Sequence, residues 1–161
     1  MKRIGLILIA IHLLAFPMFS QTVSIPDATF LYALIEEGVD ADKDSLISYE
    51  EAEAVTAIDI SGPWYWDDGG FKGEGEIKDI TGIEAFIKLD SLDCGINLLT
   101  SLDVSNNTAL NYLSCGGNQL TSLDVSNCID LKYLDASGFA RGVNIYQLHA
   151  SNQKQNTVYT K

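Results

Sequence analysis

The chain has 161 residues, 22 of them acidic and 10 basic, and a formal net charge of -12. A surface this acidic repels nucleic acid and anionic lipid and favours cations or basic partners. The length suits one domain with its own core, and the two histidines, His12 and His149, are too few to argue a Ser/His/acid set.

At the start, Lys2 and Arg3 precede an apolar run from Ile4 to Phe16, Pro17 breaks it, and small Ser20 stands before a cut at Gln21. That is the layout of a removable export leader over 1–20, and the run is shorter than the ~20 residues a membrane span requires. The expected protein is secreted or at the cell surface, with no membrane insertion once the leader is gone. Losing Lys2 and Arg3 makes the remainder more acidic still.

Residues 21–54 read as a helical cap. Asp27 is placed to cap a helix, Phe30, Leu31, Leu34 and Ile35 recur at helical spacing, and Gly38 closes the segment. Asp40, Asp42, Asp44, Ser48 and Glu51 then fall at positions 1, 3, 5, 9 and 12 of one stretch, with Leu46 at 7 able to offer its carbonyl. This is the spacing of an EF-hand calcium loop: a hard cation takes six to eight oxygens, and alternate side chains must turn inward to supply them. Ile47 at position 8 suits the apolar anchor of such loops, and Ser48 opens an exit helix, SYEEAEAV. Position 6 is Ser45 where glycine is usual, an expected cost of about 1 kcal/mol. The other reading is a solvated acidic loop between two helices. If calcium binds, its expected role is structural, at the weak affinity of about 0.1 to 1 mM typical of extracellular modules.

Residues 55–140 repeat themselves. Leu89, Leu110 and Leu131 are 21 residues apart, as are Leu92, Leu113 and Leu134. Cys94 and Cys115 hold the third apolar position, and Asn97 and Asn118 follow at the turn. The pattern L-x-x-L-x-L-x-x-N/C-x-L marks a leucine-rich repeat solenoid. Alternation in L-x-C gives a short strand with one buried face, and the asparagine amide can satisfy backbone groups left over by the bend. A weaker copy runs through Leu99, Leu102, Val104, Asn107 and Leu120, Leu123, Val125, Cys128. Each coil therefore has two extended sides and no long helix. The fold expected is an α/β solenoid, a short stack of mostly parallel strands with an N-terminal helix-loop-helix cap.

Within the first coil, residues 62–76 are rich in glycine, aromatics and acid and match no repeat position. They read either as an insertion into a turn, the preferred reading, or as a diverged half-coil. Residues 141–161 lose the leucine spacing but alternate through Val143, Ile145 and Leu148, which fits a C-terminal cap covering the open end. His149 reads as a surface residue. The three cysteines read as buried small hydrophobes, although adjacent coils about 4.8 Å apart leave a Cys94–Cys115 bridge open.

The succession of helix, acidic loop, helix, DITGIEAF and LTSLDVSNNTALNYLSC resembles exported bacterial leucine-rich repeat proteins related to internalins, over about residues 25 to 140. The resemblance implies that the repeats form a surface for protein or cell-surface ligands, that the helical acidic segment caps the stack, and that the protein binds rather than catalyses. The chain departs from that family in Ser45, in segment 62–76 and in its few coils.

From the residues themselves, Ser91, Asp93, Tyr112, Ser114, Tyr133 and Asp135 should line one outward face. Tyr112 and Tyr133 in one column read equally as an interface anchor or as cross-strand packing. Asp103 and Asp124 stack on the other side and should repel unless solvated or paired. The alternative to a protein ligand is a saccharide or cell-surface glycan held by Trp64, Tyr65, Trp66 and Phe71 with Asp67 and Asp68, aromatics that could also form a small core beneath their loop. A glycosidase would need two carboxylates at fixed separation in a cleft, which this pattern does not supply. The overall expectation is a monomeric binding module and not an enzyme.

Overall fold

The computed structural model describes residues 21–62, 65–67, 70–72, 76–138, 144–146 and 157–159. Residues 1–20, Trp64, Asp68, Val143, Leu148 and His149 lie outside the described residues, and only the backbone path of Tyr65, Trp66, Asp67, Phe71 and Ile145 is described.

Five three-residue strands, β1 (Ala57–Asp59), β4 (Ser91–Asp93), β5 (Tyr112–Ser114), β7 (Tyr133–Asp135) and β9 (Thr157–Tyr159), form one parallel sheet in that order. Their middle residues, Ile58, Leu92, Leu113, Leu134 and Val158, stand in register from rung to rung. The first four of these are buried, as the period-2 pattern of a one-sided strand requires. The weaker half-repeat supplies the second extended side. There β6 (Ser122–Asp124) pairs in parallel with β8 (Asn144–Tyr146), and Asp103 bridges Asp124. Beyond Gly138, β8 and β9 thus carry both columns on past the last clear leucine spacing.

Between these sides the core is a column of Leu89, Leu99, Leu110 and Leu120 with Val104, Val125, Cys94 and Cys115, all almost fully buried. The bends are closed by side chains. Asn118 Nδ2 donates to the carbonyls of Cys94 and Cys115 at 3.0 and 2.9 Å, and its Oδ1 accepts the Leu99 N–H at 3.0 Å. Asn97 repeats this one coil earlier, to the Ile60, Cys94 and Gly95 carbonyls and from the Ile77 N–H. On the other side Asn107 Nδ2 donates to Ile83 and Phe86, and the Cys128 thiol takes the matching place one coil on, donating to Val104 and Asn107. Cysteine substitutes for asparagine here because the site uses donation alone: the Asn107 oxygen has no partner among the described residues. The three cysteines are free and buried.

Between Gly62 and Ile77 the described residues form a separate two-stranded antiparallel sheet, β2 (Tyr65–Asp67) with β3 (Gly70–Lys72). The coil resumes on either side of it: Gly62 N–H donates to Gly95, and Leu98 N–H to Ile77.

The N-terminal end is closed by α1 (Ala28–Glu36), α2 (Tyr49–Ala54) and a one-turn 3-10 helix (Ile83–Ala85). Phe30, Leu34, Val39, Ile47 and Ala52 join the same apolar cluster as Ile58, Ile80, Ile83 and Phe86, so cap and coils share one core. Gly82, at φ 110, permits a close crossing: a Cβ there would lie 2.8 Å from Ile25 Cγ1. No helix among the described residues is long and apolar enough to cross a membrane.

Candidate metal centre and binding face

The acidic loop links the two cap helices. Beyond the end of α1, Gly38 with φ 80 turns the chain while Val39 N–H returns to Leu34 at 3.0 Å. Asp40, Asp42 and Asp44 then converge, each offering one carboxylate oxygen within 4.8 Å of the others. Asp40 is buried, and Asp42 and Asp44 are exposed. The same carboxylates shape the loop. Asp40 accepts the N–H of Asp44 and Ser45 at 3.2 and 3.0 Å, Asp42 that of Asp44 at 3.1 Å, and Asp44 that of Leu46 at 2.8 Å. Ser45 has φ 68, the left-handed conformation that glycine takes most cheaply, and Lys43 has φ 65. The loop thus makes its sharp turn with serine in place.

Glu51 occupies a different place from the three aspartates. Its Oε1 accepts Ala41 and Asp42 N–H at 2.8 and 3.3 Å, and its Oε2 accepts the Ser48 N–H and hydroxyl at 2.8 and 2.9 Å. Ser48 in turn caps α2 by accepting Glu51 N–H at 3.1 Å. Burial alone would raise the Glu51 carboxyl, but these four bonds outweigh it and hold its pKa below the ordinary value. One side chain therefore ties the start of the loop, at Ala41 and Asp42, to Ser48 at the head of α2. Leu46 is exposed at the far side of the turn.

Three like-charged carboxylates held together by their own loop amides fit a hard divalent cation, which would remove their mutual repulsion. Completing an oxygen set from Glu51 would require it to exchange the Ala41 and Asp42 amides for the ion.

Two sets of contacts hold the cap together, one at the loop's exit and one from α1 to the first coil. Val23 N–H donates to Ile47 at 2.7 Å and Tyr49 N–H to Gln21 at 3.0 Å, with Thr22 bridging Ser48 in antiparallel fashion. Asp27 caps α1 with Oδ1, which accepts Thr29 and Phe30 N–H, while its Oδ2 accepts Lys78 and Asp79 N–H at 2.9 and 3.1 Å. Sequence reasoning found the cap and missed the second oxygen, since nothing local announces a partner fifty residues on.

The second candidate site is the outward face of the five-stranded sheet. Ser91, Tyr112 and Tyr133 share one register column, and Asp59, Asp93, Ser114 and Asp135 the next. The Tyr112 and Tyr133 rings stack with centroids 4.4 Å apart and planes 3° apart, and both are half-buried. Burial and the neighbouring Asp93 charge push the Tyr112 phenol up, so it stays neutral.

The aspartates also close turns, a role not anticipated from the sequence. Asp59, Asp79, Asp103, Asp124 and Asp135 each accept the N–H of the Ser or Thr two residues on, and Asp93 that of Gly95. The recurrence of Asp-x-Ser was the signal. On the half-repeat side the Ser105 and Ser126 bonds lower the Asp103 and Asp124 carboxyls, and at Asp103 they outweigh the opposing effect of the Asp124 charge. Both line a groove of about 440 Å³.

Of the aromatic candidates in the hairpin, the backbone register sets Tyr65 opposite Lys72 and Trp66 opposite Phe71. Burial drives the buried thiols toward the neutral form: Cys94 well up, Cys115 up to about 12 and Cys128 to about 11. They are packing groups, not nucleophiles.

No protein-family model matches this sequence, and no curated protein does. Among solved structures the chain is similar to the functional domain of InlJ from Listeria monocytogenes, described as including a cysteine ladder, with 29% identity and a TM-score of 0.58 over 86% of this chain and 28% of that one. It is also similar in fold to the internalin InlF of Listeria monocytogenes, with 23% identity and a TM-score of 0.56 over 77% of this chain and 32% of that one. The chain thus spans less than a third of either structure. The fold is a leucine-rich repeat stack of the internalin kind with short N-terminal helices.

Proposed function

We propose that this chain is an exported leucine-rich repeat module that holds a protein ligand on the sheet face around Tyr112 and Tyr133, with calcium steadying its N-terminal cap. The observation that carries the binding role is the stacked tyrosine pair. Large rigid aromatics, half-exposed on a flat parallel sheet, are the side chains that interfaces use as anchors. Likeness to internalin repeats supports binding over catalysis, and secretion or display at the cell surface follows from the leader-like residues 1–20. A photoreactive phenylalanine at Tyr112 or Tyr133 in the secreting cells and their surroundings should give a cross-linked protein adduct, and one at Ser126 on the opposite side should not. Equal labelling from both sides would sink this assignment.

Asp40, Asp42 and Asp44 would hold the ion, with the Leu46 carbonyl, Ser48 and Glu51 completing its oxygens. Its contribution there is charge neutralisation in a loop that shares its core with the first coil. At 10 mM calcium and an affinity of about 0.1 to 1 mM, mass action stabilises the fold by about 1.4 to 2.7 kcal/mol, or roughly 5 °C and more in Tm. Replacing Asp42 and Asp44 with alanine should abolish that rise. A wild-type melt indifferent to calcium and chelator would reject the ion.

A glycan bound at loop 62–76 is the second reading. It is favoured by the defined register of the β2–β3 hairpin, which brings the backbones of Trp66 and Phe71 opposite one another outside the stack.

A further inference from the structure

The chain end that export would create is itself part of the fold. With the cut expected after Ser20, the exported chain begins at Gln21, which lies against the exit of the acidic loop. Its carbonyl accepts Tyr49 N–H at 3.0 Å, Thr22 bridges Ser48 in antiparallel fashion, and Val23 N–H donates to the Ile47 carbonyl at 2.7 Å. Val23 is buried in the core that cap and coils share, and a Cβ added to Gly82 would meet its Cγ1 at 3.2 Å. Three residues at a chain end thus strap the head of α2 to the first coil.

Such a strap is open to trimming. Two backbone bonds, a bridge and one buried valine hold it, so it opens more readily than the strands of the coils. Loss of residues 21–23 would free the Tyr49 N–H and the Ile47 carbonyl and uncover the place that Val23 fills. An aminopeptidase that did this would need a free α-amine to start from.

We propose that Gln21, once it is the chain end, closes into pyroglutamate and so locks the strap against aminopeptidases. The α-amino nitrogen attacks the side-chain Cδ, the new N–Cδ bond completes a five-membered lactam, the Cδ–Nε2 bond breaks, and ammonia leaves with the proton that the attacking nitrogen gives up. The step needs no oxidant and no co-reactant. An α-amine titrates at about 7.7 to 8.0, so an appreciable part of it is neutral and nucleophilic near neutral pH. The fold leaves the reacting side chain at liberty: Gln21 is exposed, and among the described residues its side chain has no hydrogen-bond partner. The ring takes in only N, Cα, Cβ, Cγ and Cδ, so the carbonyl that holds Tyr49 is untouched. The proposal rests on the reading of residues 1–20 as an export leader and adds the chemistry of the end that its removal exposes.

The test is the intact mass of the full-length chain after secretion, read beside that of Gln21→Asn. The shorter asparagine side chain would have to close a four-membered ring, so that variant keeps its amine. The wild type should weigh one ammonia less than residues 21–161, and Gln21→Asn should show no such loss. Aminopeptidase added to the two folded chains should leave the wild type whole and strip Gln21→Asn into the strap, lowering its Tm.

A wild type that begins at Gln21 with its ammonia retained, or that is trimmed like the variant, overturns the cyclisation and leaves the leader reading standing. A chain that begins at another residue, keeps residues 1–20 or stays inside the cell overturns both. If both chains resist the aminopeptidase, docking alone protects the strap and the locking role falls.

Discussion

The cap and the coils bury the same kinds of apolar side chain in one continuous cluster, yet they close their backbones by different chemistry. In the coils the groups that reach across to the neighbouring coil are neutral and buried, the Asn97, Asn107 and Asn118 amides and the Cys128 thiol, while coil aspartates such as Asp103 and Asp124 bond within their own turns, to the N–H two residues on. In the cap the corresponding groups are carboxylates: Asp27, Asp40 and Glu51 gather the amides of the helix starts, the loop and the first coil. Neutral buried closures do not answer to pH or ions. Carboxylate closures do. The two ends of one core should therefore part company when solution conditions change.

The largest effect lies in the coils. Asn118→Ala would strand two buried carbonyls and the Leu99 N–H at once. At about 1 to 3 kcal/mol for each of the three unsatisfied buried groups, a loss of about 3 to 9 kcal/mol is expected. That is enough to unfold a short stack. A chemical denaturation midpoint moving by less than the equivalent of 1 kcal/mol would show that water replaces the amide, and the contrast with the cap would weaken.

Next comes the cap. Asp27→Ala removes a helix cap and frees the Lys78 and Asp79 amides, for an expected loss of about 1 to 2 kcal/mol. Acid should do part of the same work. Burial would raise the Asp27 carboxyl, but its four backbone bonds more than offset this and lower it, and Glu51 behaves alike. A carboxyl lowered on folding lends stability that is complete above its ordinary value, near 3.8 for Asp27 and 4.5 for Glu51, and that is lost as pH falls through the folded value. Hydrogen exchange at pH 3 to 4 should thus open amides of α1, α2 and the loop before those of β4, β5 and β7. Simultaneous opening would mean that cap and coils are one cooperative unit.

How much of this could be read beforehand depended on whether a residue's partner lies at the repeat distance. The leucine columns, the asparagine turns, the Tyr112–Tyr133 stack and the buried cysteines were legible because the period that brings the partners together is written in the chain. The acidic loop was legible through its own spacing, and its three aspartates do converge. What escaped is what obeys no period. Gln21–Val23 has no pattern to announce that it pairs with Ile47–Tyr49. Asp27 looks like any helix cap, and its reach to Lys78 depends on how the cap docks. The rungs at 144–146 and 157–159 follow a longer step than the coils before them, which hid Ile145 and Val158 as successors of Leu123 and Leu134.

The smallest expected effect asks most directly whether the coil closures are interchangeable. Asn107 donates through Nδ2 to Ile83 and Phe86, while its buried Oδ1 has no partner among the described residues. Cys128, in the matching place of the next coil, makes the equivalent donations at 3.8 and 3.7 Å with no oxygen left over. Asn107→Cys should therefore exchange two good N–H donations for weaker thiol contacts while removing a buried carbonyl that costs about 1 to 3 kcal/mol when unsatisfied. The two changes oppose each other, so the expected net shift is within about 1 kcal/mol, in contrast to Asn118, whose oxygen is used. A melt of Asn107→Cys as damaged as that of Asn118→Ala would show that Oδ1 of Asn107 holds a buried water, and the two asparagine columns would then be equivalent.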